Sequence, residues 1–196
     1  MIRIIGGEWR SRKLLQPATR DTRPMPDRVK AAIFSMLGAH YDVPGELPPL
    51  RVADVFAGGG SMGLEALSRG AAFCSFFERG PVAVDALGRN IEQLGAGDRS
   101  EVIRRDAWRA ATKTLGDEPF DLIFLDPSYR DSKDASATGP VRRYLTRLAE
   151  CAPAGCVLML HHDRRTRVQL DGDDPWHLAD ERSIGSNAVS VLLRRP

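Results

Sequence analysis

Asp126-Pro127-Ser128-Tyr129 stands at the end of the apolar run Leu122-Ile123-Phe124-Leu125. A carboxylate, a proline-fixed backbone and an aromatic ring in four consecutive residues can grip a planar amino group. The exocyclic amine of guanine or adenine is a poor nucleophile, because its lone pair is delocalised into the ring. If Asp126 and the carbonyl of Pro127 accept its two hydrogens, the nitrogen can pyramidalise and aim its lone pair at a sulfonium methyl group. The Tyr129 ring would hold the base by stacking, and the rate gain would come from alignment and electrostatics. A base in structured nucleic acid must first be unstacked or flipped. The plain alternative is a strand-to-loop turn, since Asp-Pro is a common turn starter.

Three further sites fall at the ends of apolar runs. Asp54-Val55-Phe56-Ala57-Gly58-Gly59-Gly60 has glycines that let backbone approach a ligand before a helix begins. Gly58, Gly60 and Gly63 also spell G-x-G-x-x-G, so a nicotinamide dinucleotide is a competing ligand. Glu78, twenty residues beyond Gly58, can accept hydrogen bonds from both ribose hydroxyls of an adenosine cofactor, or be a strand-end surface charge. Asp106-Ala107 offers an acid for an adenine amino group, or a helix cap.

The elements that must position these residues alternate along the chain. Met1 to Ile5 and Lys13 to Gln16 read as a hairpin-like extension around Gly6-Gly7-Glu8-Trp9, and Pro24 and Pro26 introduce a helix with Val29, Ile33 and Leu37 on one face, capped by Gly38. The proline- and glycine-containing stretch 42–49 reads as a linker, which sets an extension at 1–45 and a main domain at 46–196. Strands are predicted over 51–56, 73–78, 101–105, 120–126 and 156–161, with helices over 61–69, from Pro81 through Leu94, around 108–115, and on the face Val141, Tyr144, Leu145 and Leu148. His177 to Ser183 and Ala188 to Arg194 are predicted to close as a terminal antiparallel hairpin. Strands alternating with helices imply an α/β fold with a parallel sheet covered on both faces, whose ligands bind at the carboxyl ends of the strands.

Composition sets the outer bounds. The chain has 196 residues, 42% hydrophobic and 28% charged, enough for one well-buried core. No apolar segment approaches the roughly 20 residues of a membrane span, and Arg3, Glu8 and Trp9 near the start do not fit a signal peptide, so a cytoplasmic location is expected. Cys74, Cys151 and Cys156 form no Cys-x-x-Cys pair and read as buried thiols, and no metal is expected. His161-His162-Asp163 reads as strand-end polar residues, because His40 and His177 are too distant in sequence to complete a metal set. Trp9 and Trp108 read as packing residues. Residues 1–30 carry eight Lys or Arg against three Asp or Glu, a net +5, leaving −3 for the rest of a chain of net +2. A basic segment on a mildly acidic body can supply phosphate contacts, or simply be a solvated charged face.

Taken together, several stretches resemble one family. Arg3-Ile4-Ile5-Gly6-Gly7-Glu8-Trp9-Arg10, Thr22-Arg23-Pro24 with Asp27-Arg28-Val29, and Phe56-Ala57-Gly58-Gly59-Gly60 running into Gly63-Leu64-Glu65-Ala66-Leu67-Ser68-Arg69-Gly70 are similar to the bacterial 16S ribosomal RNA guanine-N2 methyltransferases of the RsmD type. The similarity continues through Asp121 to Tyr129; the last third matches mainly in strand order. The resemblance implies a Rossmann-like class I methyltransferase, a three-layer sandwich with a mostly parallel seven-stranded sheet and a small amino-terminal hairpin and helix. It implies S-adenosylmethionine as methyl donor and guanine in the 16S RNA of the small subunit as acceptor; a monomer is expected. By position it implies Asp126, Pro127 and Tyr129 as the catalytic grip. Asp54, Phe56, Ala57, Gly58, Gly60, Glu78, Asp106 and Ala107 would line the cofactor site. Arg10, Arg12, Lys13, Arg23 and Arg28 would approach RNA, although Arg23 or Arg28 could instead bridge to Asp27 or the core.

This chain departs from the family pattern twice, with Ser128 in place of a second proline and Gly59 in place of Ser or Thr. Other functions remain open: transfer to another planar amine, such as adenine N6 or a protein glutamine, a catalytically silent RNA-binding or assembly module, and, more distantly, a nicotinamide-dependent oxidoreductase.

Overall fold

The computed structural model describes residues 2–18, 25–110, 119–128 and 138–196. Strands β1 (Ile2–Arg3) and β2 (Lys13–Leu14) pair antiparallel and are followed by α1 (Asp27–His40). The main sheet draws on β3 (Arg51–Val55), β4 (Phe73–Phe77), β5 (Ser100–Ile103), β6 (Leu122–Leu125), β7 (Val157–Asp163), β8 (Trp176–Ile184) and β9 (Asn187–Arg194). Between them run α2 (Ser61–Ser68), α3 (Pro81–Leu94), α4 (Ala107–Ala110) and α5 (Pro140–Leu148). The seven strands lie in the order β5-β4-β3-β6-β7-β9-β8; all neighbours among β3 to β7 are parallel, and β9 is antiparallel to β7 and β8. The fold is that of a Rossmann-like class I methyltransferase, a three-layer sandwich with a small amino-terminal hairpin, as the sequence leads one to expect.

Alternation along the strands makes the two core layers. Val52, Phe76, Leu122, Phe124, Val157 and Met159 face one way and pack with Val29, Ile33 and Leu37 of α1 and Leu64 and Leu67 of α2. Ala53, Val55, Phe77, Ile123, Leu125, Leu158 and Leu160 face the other way, against Tyr144, Leu145 and Leu148 of α5 and Trp176. Ile2, Ile4 and Leu14 of the hairpin belong to the first layer. Pro81 and Pro140 stand at the first turns of α3 and α5, where a missing N–H costs nothing.

One expected boundary is wrong. Gly38 does not cap α1, which continues to His40 with Tyr41 following it. Gly38 is buried inside the helix because the returning chain crosses there: a Cβ would lie 3.2 Å from Val43 O and from Gly45 N. The glycine is a crossing point, not a stop. Of the helix expected around 108–115, only the first turn lies within the described residues, and the polar loop after the tetrapeptide is mostly outside them.

Candidate active site

β3 and β6 are neighbours at the centre of the sheet, and the strand order runs in opposite directions from them. That reversal opens a crevice beyond their carboxyl ends. After β3 the chain turns at Phe56, a non-glycine residue with φ 66°, and the N–H groups of Phe56 and Ala57 both donate to Phe77 O at 3.1 Å. Strain of this sort persists only where the surroundings fix it. Phe56 is fixed by its neighbours: its ring packs 4.8 Å from Trp108, which lies edge-on 5.4 Å from Tyr144.

Two carboxylates shape the glycine turn. Glu78 Oε2 accepts the Gly58 N–H at 2.9 Å, and Oε1 accepts those of Arg79 and Gly80 at 2.8 and 2.7 Å. These bonds fill three of roughly four acceptor positions on a carboxylate and leave room for a ligand hydroxyl. Asp54 is 2% exposed and accepts the Gly63 N–H at 2.8 Å, so it ties the strand to the first turn of α2 from below. Burial pushes its carboxyl up to about 7; the Gly63 bond opposes this, while the charges of Asp126 and Glu78 add to it. Asp106 Oδ1 accepts the Trp108 N–H at 3.1 Å and Oδ2 pairs with Arg79 at 2.7 Å, so the helix-cap role read as its alternative is present, and Ala107 is buried beside it. A glycine turn, a partly buried carboxylate with spare acceptor capacity and a second carboxylate beyond it suit a ribose and an adenine amino group.

On the other side of the crevice, the register sets Leu125 beside Val55, and the Asp126 N–H points to Val55 O at 3.4 Å. Pro127 is buried and Ser128 exposed. Tyr129 lies outside the described residues. Asp126 is joined by His161, which reads from sequence only as a strand-end polar residue: His161 Nδ1 lies 2.8 Å from Asp126 Oδ1, and His161 Nε2 lies 3.0 Å from Asn187 Oδ1. Burial disfavours protonation of His161, but the Asp126 charge and the two hydrogen bonds outweigh it and raise its pKa. The His161–Asp126 contact spans 35 positions and depends on β7 lying beside β6; no local pattern announces it.

The amino-terminal segment is fastened to the domain by buried polar groups. Glu65 of α2, fully buried, accepts the Ile5 N–H at 2.8 Å and pairs with Lys30 at 3.1 Å and Arg69 at 2.8 Å. Lys30 is itself fully buried and also donates to Arg3 O. Burial lowers its pKa, against the charge and hydrogen bond of Glu65. Asn90 of α3 accepts the Leu15 N–H and donates to Leu15 O and Gly59 O, which stitches the segment after β2 to the glycine turn. A Cβ at Gly59 would lie 3.0 Å from Leu15 O and 3.1 Å from the Pro17 ring, so glycine makes room for this crossing.

Among the basic residues, Arg3, not Arg28, bridges to Asp27, at 2.9 Å. Arg12 donates to Gln93 O at 3.2 Å. Arg10, Lys13 and Arg28 are exposed and make no ion pair among the described residues, and the Arg28 guanidinium lies against Gly185 in the β8–β9 turn. Arg23 lies outside the described residues. Among the described residues, no group of three or more His, Cys, Asp or Glu is arranged to hold a metal ion, and no helix is long and apolar enough to cross a membrane.

The family model described as "Conserved hypothetical protein 95" matches residues 2–193. "Putative rRNA methyltransferase YlbH" of Bacillus subtilis (strain 168) is 38% identical over 99% of this chain and 100% of its own length. "Ribosomal RNA small subunit methyltransferase D" of Escherichia coli (strain K12) is 36% identical over 66% of this chain and 61% of its own length, so the matched part spans less than two thirds of that relative. Among solved structures, "Putative methyltransferase yhhF from Escherichia coli" superposes with a TM-score of 0.79 at 26% identity, covering 100% of this chain and 98% of that one.

Proposed function

The chain belongs to the RsmD-type methyltransferase family, and on that premise we propose that it methylates ribosomal RNA, moving the methyl group of S-adenosylmethionine to the exocyclic N2 of a guanine in the 16S RNA of the small subunit. The observation that carries this reading is the placement of Asp126-Pro127 at the end of β6, directly beside the glycine turn that leaves β3. An acceptor grip and a cofactor turn on adjacent central strands suit a direct transfer between two bound molecules.

In this reading Glu78 holds the ribose hydroxyls, Asp106 the adenine edge, and Phe56 to Gly60 the backbone facing the donor. When bound, S-adenosylmethionine supplies an electrophilic sulfonium methyl. Asp126 and the Pro127 carbonyl accept the two amine hydrogens and turn the nitrogen lone pair out of conjugation. The acceptor at 127 is a main-chain carbonyl, so Ser128 in place of a second proline keeps the acceptor group but removes the restriction that a proline at 128 would place on the backbone of Pro127, which loosens the turn and slows turnover. The flipped guanine is held by Tyr129, and Arg10, Arg12, Lys13, Arg23 and Arg28 meet phosphates.

The test is to incubate the protein with labelled S-adenosylmethionine and small ribosomal subunits that lack base methylation. Label is expected on guanine N2 and is expected to vanish with Asp126→Ala. Binding to the subunit without transfer would overturn the enzyme reading, and label on adenine or on protein would move the activity to another planar amine.

A further inference from the structure

We propose that His161, held by Asn187, is a positioning residue for the transfer: it donates from Nδ1 to Asp126 Oδ1 and so presents Oδ2 to the substrate amine. The inference rests on the reading of Asp126 as the amine acceptor and adds a charged partner that fixes which oxygen does the work.

Asn187 Oδ1 lies 3.0 Å from Nε2, and with the amide in this orientation Nε2 donates to it. Asp126 offers a carboxylate oxygen to Nδ1 at 2.8 Å, and that contact also needs a proton between the atoms. An imidazole with protons on both nitrogens is a cation, and the raised pKa of His161 agrees with it. Oδ2 of Asp126 has no partner among the described residues, and the side chain is 32% exposed.

The surroundings leave this pair intact. Asp126 faces the ring from the end of β6, and β9 contributes the uncharged Asn187, with Val189 opposite His161 in register. On the same strand His162 bonds to Ser190 Oγ at 2.8 Å and lies 3.8 Å from Glu181 of β8; burial, and after it the charge of His161, lowers the pKa of His162. From α1 and the end of β7, Arg28 and Arg164 approach Gly185 in the turn just before Asn187. Asp54 of β3 joins the cluster through the charge of Asp126. Asp126 supplies the nearest opposing charge.

The sign of the pH effect follows. The cation is favoured in the fold, so the charged pair is complete at low pH and its charge is lost as pH rises through the raised pKa of His161, where a neutral ring still donates from Nδ1. The wild-type kcat should therefore fall on the alkaline side, by less than it falls in His161→Ala. His161→Ala should lower kcat by roughly 10- to 100-fold, in line with small misplacements of reacting groups, with KM for RNA and affinity for S-adenosylmethionine little changed. His161→Asn keeps an N–H where Nδ1 was but cannot titrate; it should retain most of kcat and lose the alkaline fall. A wild-type kcat in folded His161→Ala, an Asn variant as impaired as the Ala variant, or an alkaline fall that survives in the Asn variant would each overturn the proposal. Should the Ala variant not fold, nitrogen NMR of the wild-type imidazole decides: protons on both nitrogens near neutral pH are expected, and a neutral ring would overturn it. Asp126→Ala run alongside separates the two readings, because full activity in that variant removes the acceptor role of Asp126 whatever His161 does.

Discussion

Glu65 on α2 and Asp126 after β6 are both carboxylates that face a cation, yet the protein surrounds them in opposite ways. Glu65 is fully buried and takes a backbone N–H from the hairpin, the Lys30 ammonium and the Arg69 guanidinium, so the hairpin, α1 and the end of α2 meet on one side chain. Asp126 meets only His161 among the described residues and keeps about a third of its side chain exposed. A carboxylate whose acceptor positions are all taken holds structure together, while one with an oxygen left over is available to a ligand. By the same measure Glu78 stands between them, with three backbone donors and part of its surface open.

Exchanging the two losses is the strongest way to break this contrast. Asp126→Ala is expected to lower kcat by on the order of 10²–10³, the usual loss when one preorganised partner of a reacting group is removed, while unfolding shifts by less than about 1 kcal/mol. Glu65→Ala strands a buried lysine and should cost about 3–5 kcal/mol of stability, with S-adenosylmethionine affinity of the folded fraction preserved. Denaturant unfolding and single-turnover methyl transfer on both variants give the four numbers. A marginal stability loss at Glu65, or a large one at Asp126, would erase the distinction.

Asn90 sharpens the contrast because it touches both regions. Its amide links Leu15 of the amino-terminal segment to Gly59 of the glycine turn. Asn90→Ala leaves the Leu15 N–H and the Gly59 carbonyl without that partner, a loss of roughly 1–3 kcal/mol. It should also weaken S-adenosylmethionine binding, measured by calorimetry, since the turn loses its outer tether. A variant with wild-type cofactor affinity would show that Glu78 and Asp54 hold the turn without help from the segment.

What sequence could reveal follows the same divide. Strands and helices were legible because their cores are periodic: Val141, Tyr144, Leu145 and Leu148 were read as one face and are the buried residues of α5. The glycine turn, Glu78 and the tetrapeptide were legible because each sits at the end of an apolar run. His161 reached the site through register: β7 pairs with β6 on one side and β9 on the other, which brings together residues 35 and 26 positions apart. The partners of Glu65 and Asn90 range from Arg69, at i,i+4, to Leu15, 75 positions away, and most are backbone groups or cations on other segments, so no local pattern marks these two residues. Gly38 was misread as a stop because sequence does not show which chain crosses a helix.

The smallest expected effect concerns the basic segment, where the same rule separates charges already spent from charges still available. Arg3 is paired with Asp27 and Lys30 is buried on Glu65, so neither offers a full charge to a phosphate. Arg10 and Lys13 are exposed without an ion pair, and Arg12 meets a backbone carbonyl and no carboxylate, among the described residues. Each phosphate contact releases counterions and adds roughly 0.7–0.9 to the slope of log affinity against log salt. Neutralising Arg10, Arg12 and Lys13 together should therefore flatten that slope by about 2–3 for small-subunit RNA, without changing the turnover of bound substrate. Arg3→Ala should leave the slope nearly unchanged, because Asp27 already offsets its charge. Equal slopes for the triple variant and the wild type would mean that the three charges are only solvated. A steep response to Arg3 alone would mean instead that RNA displaces Asp27 from its partner, and that an ion pair within the fold does not mark a charge as spent.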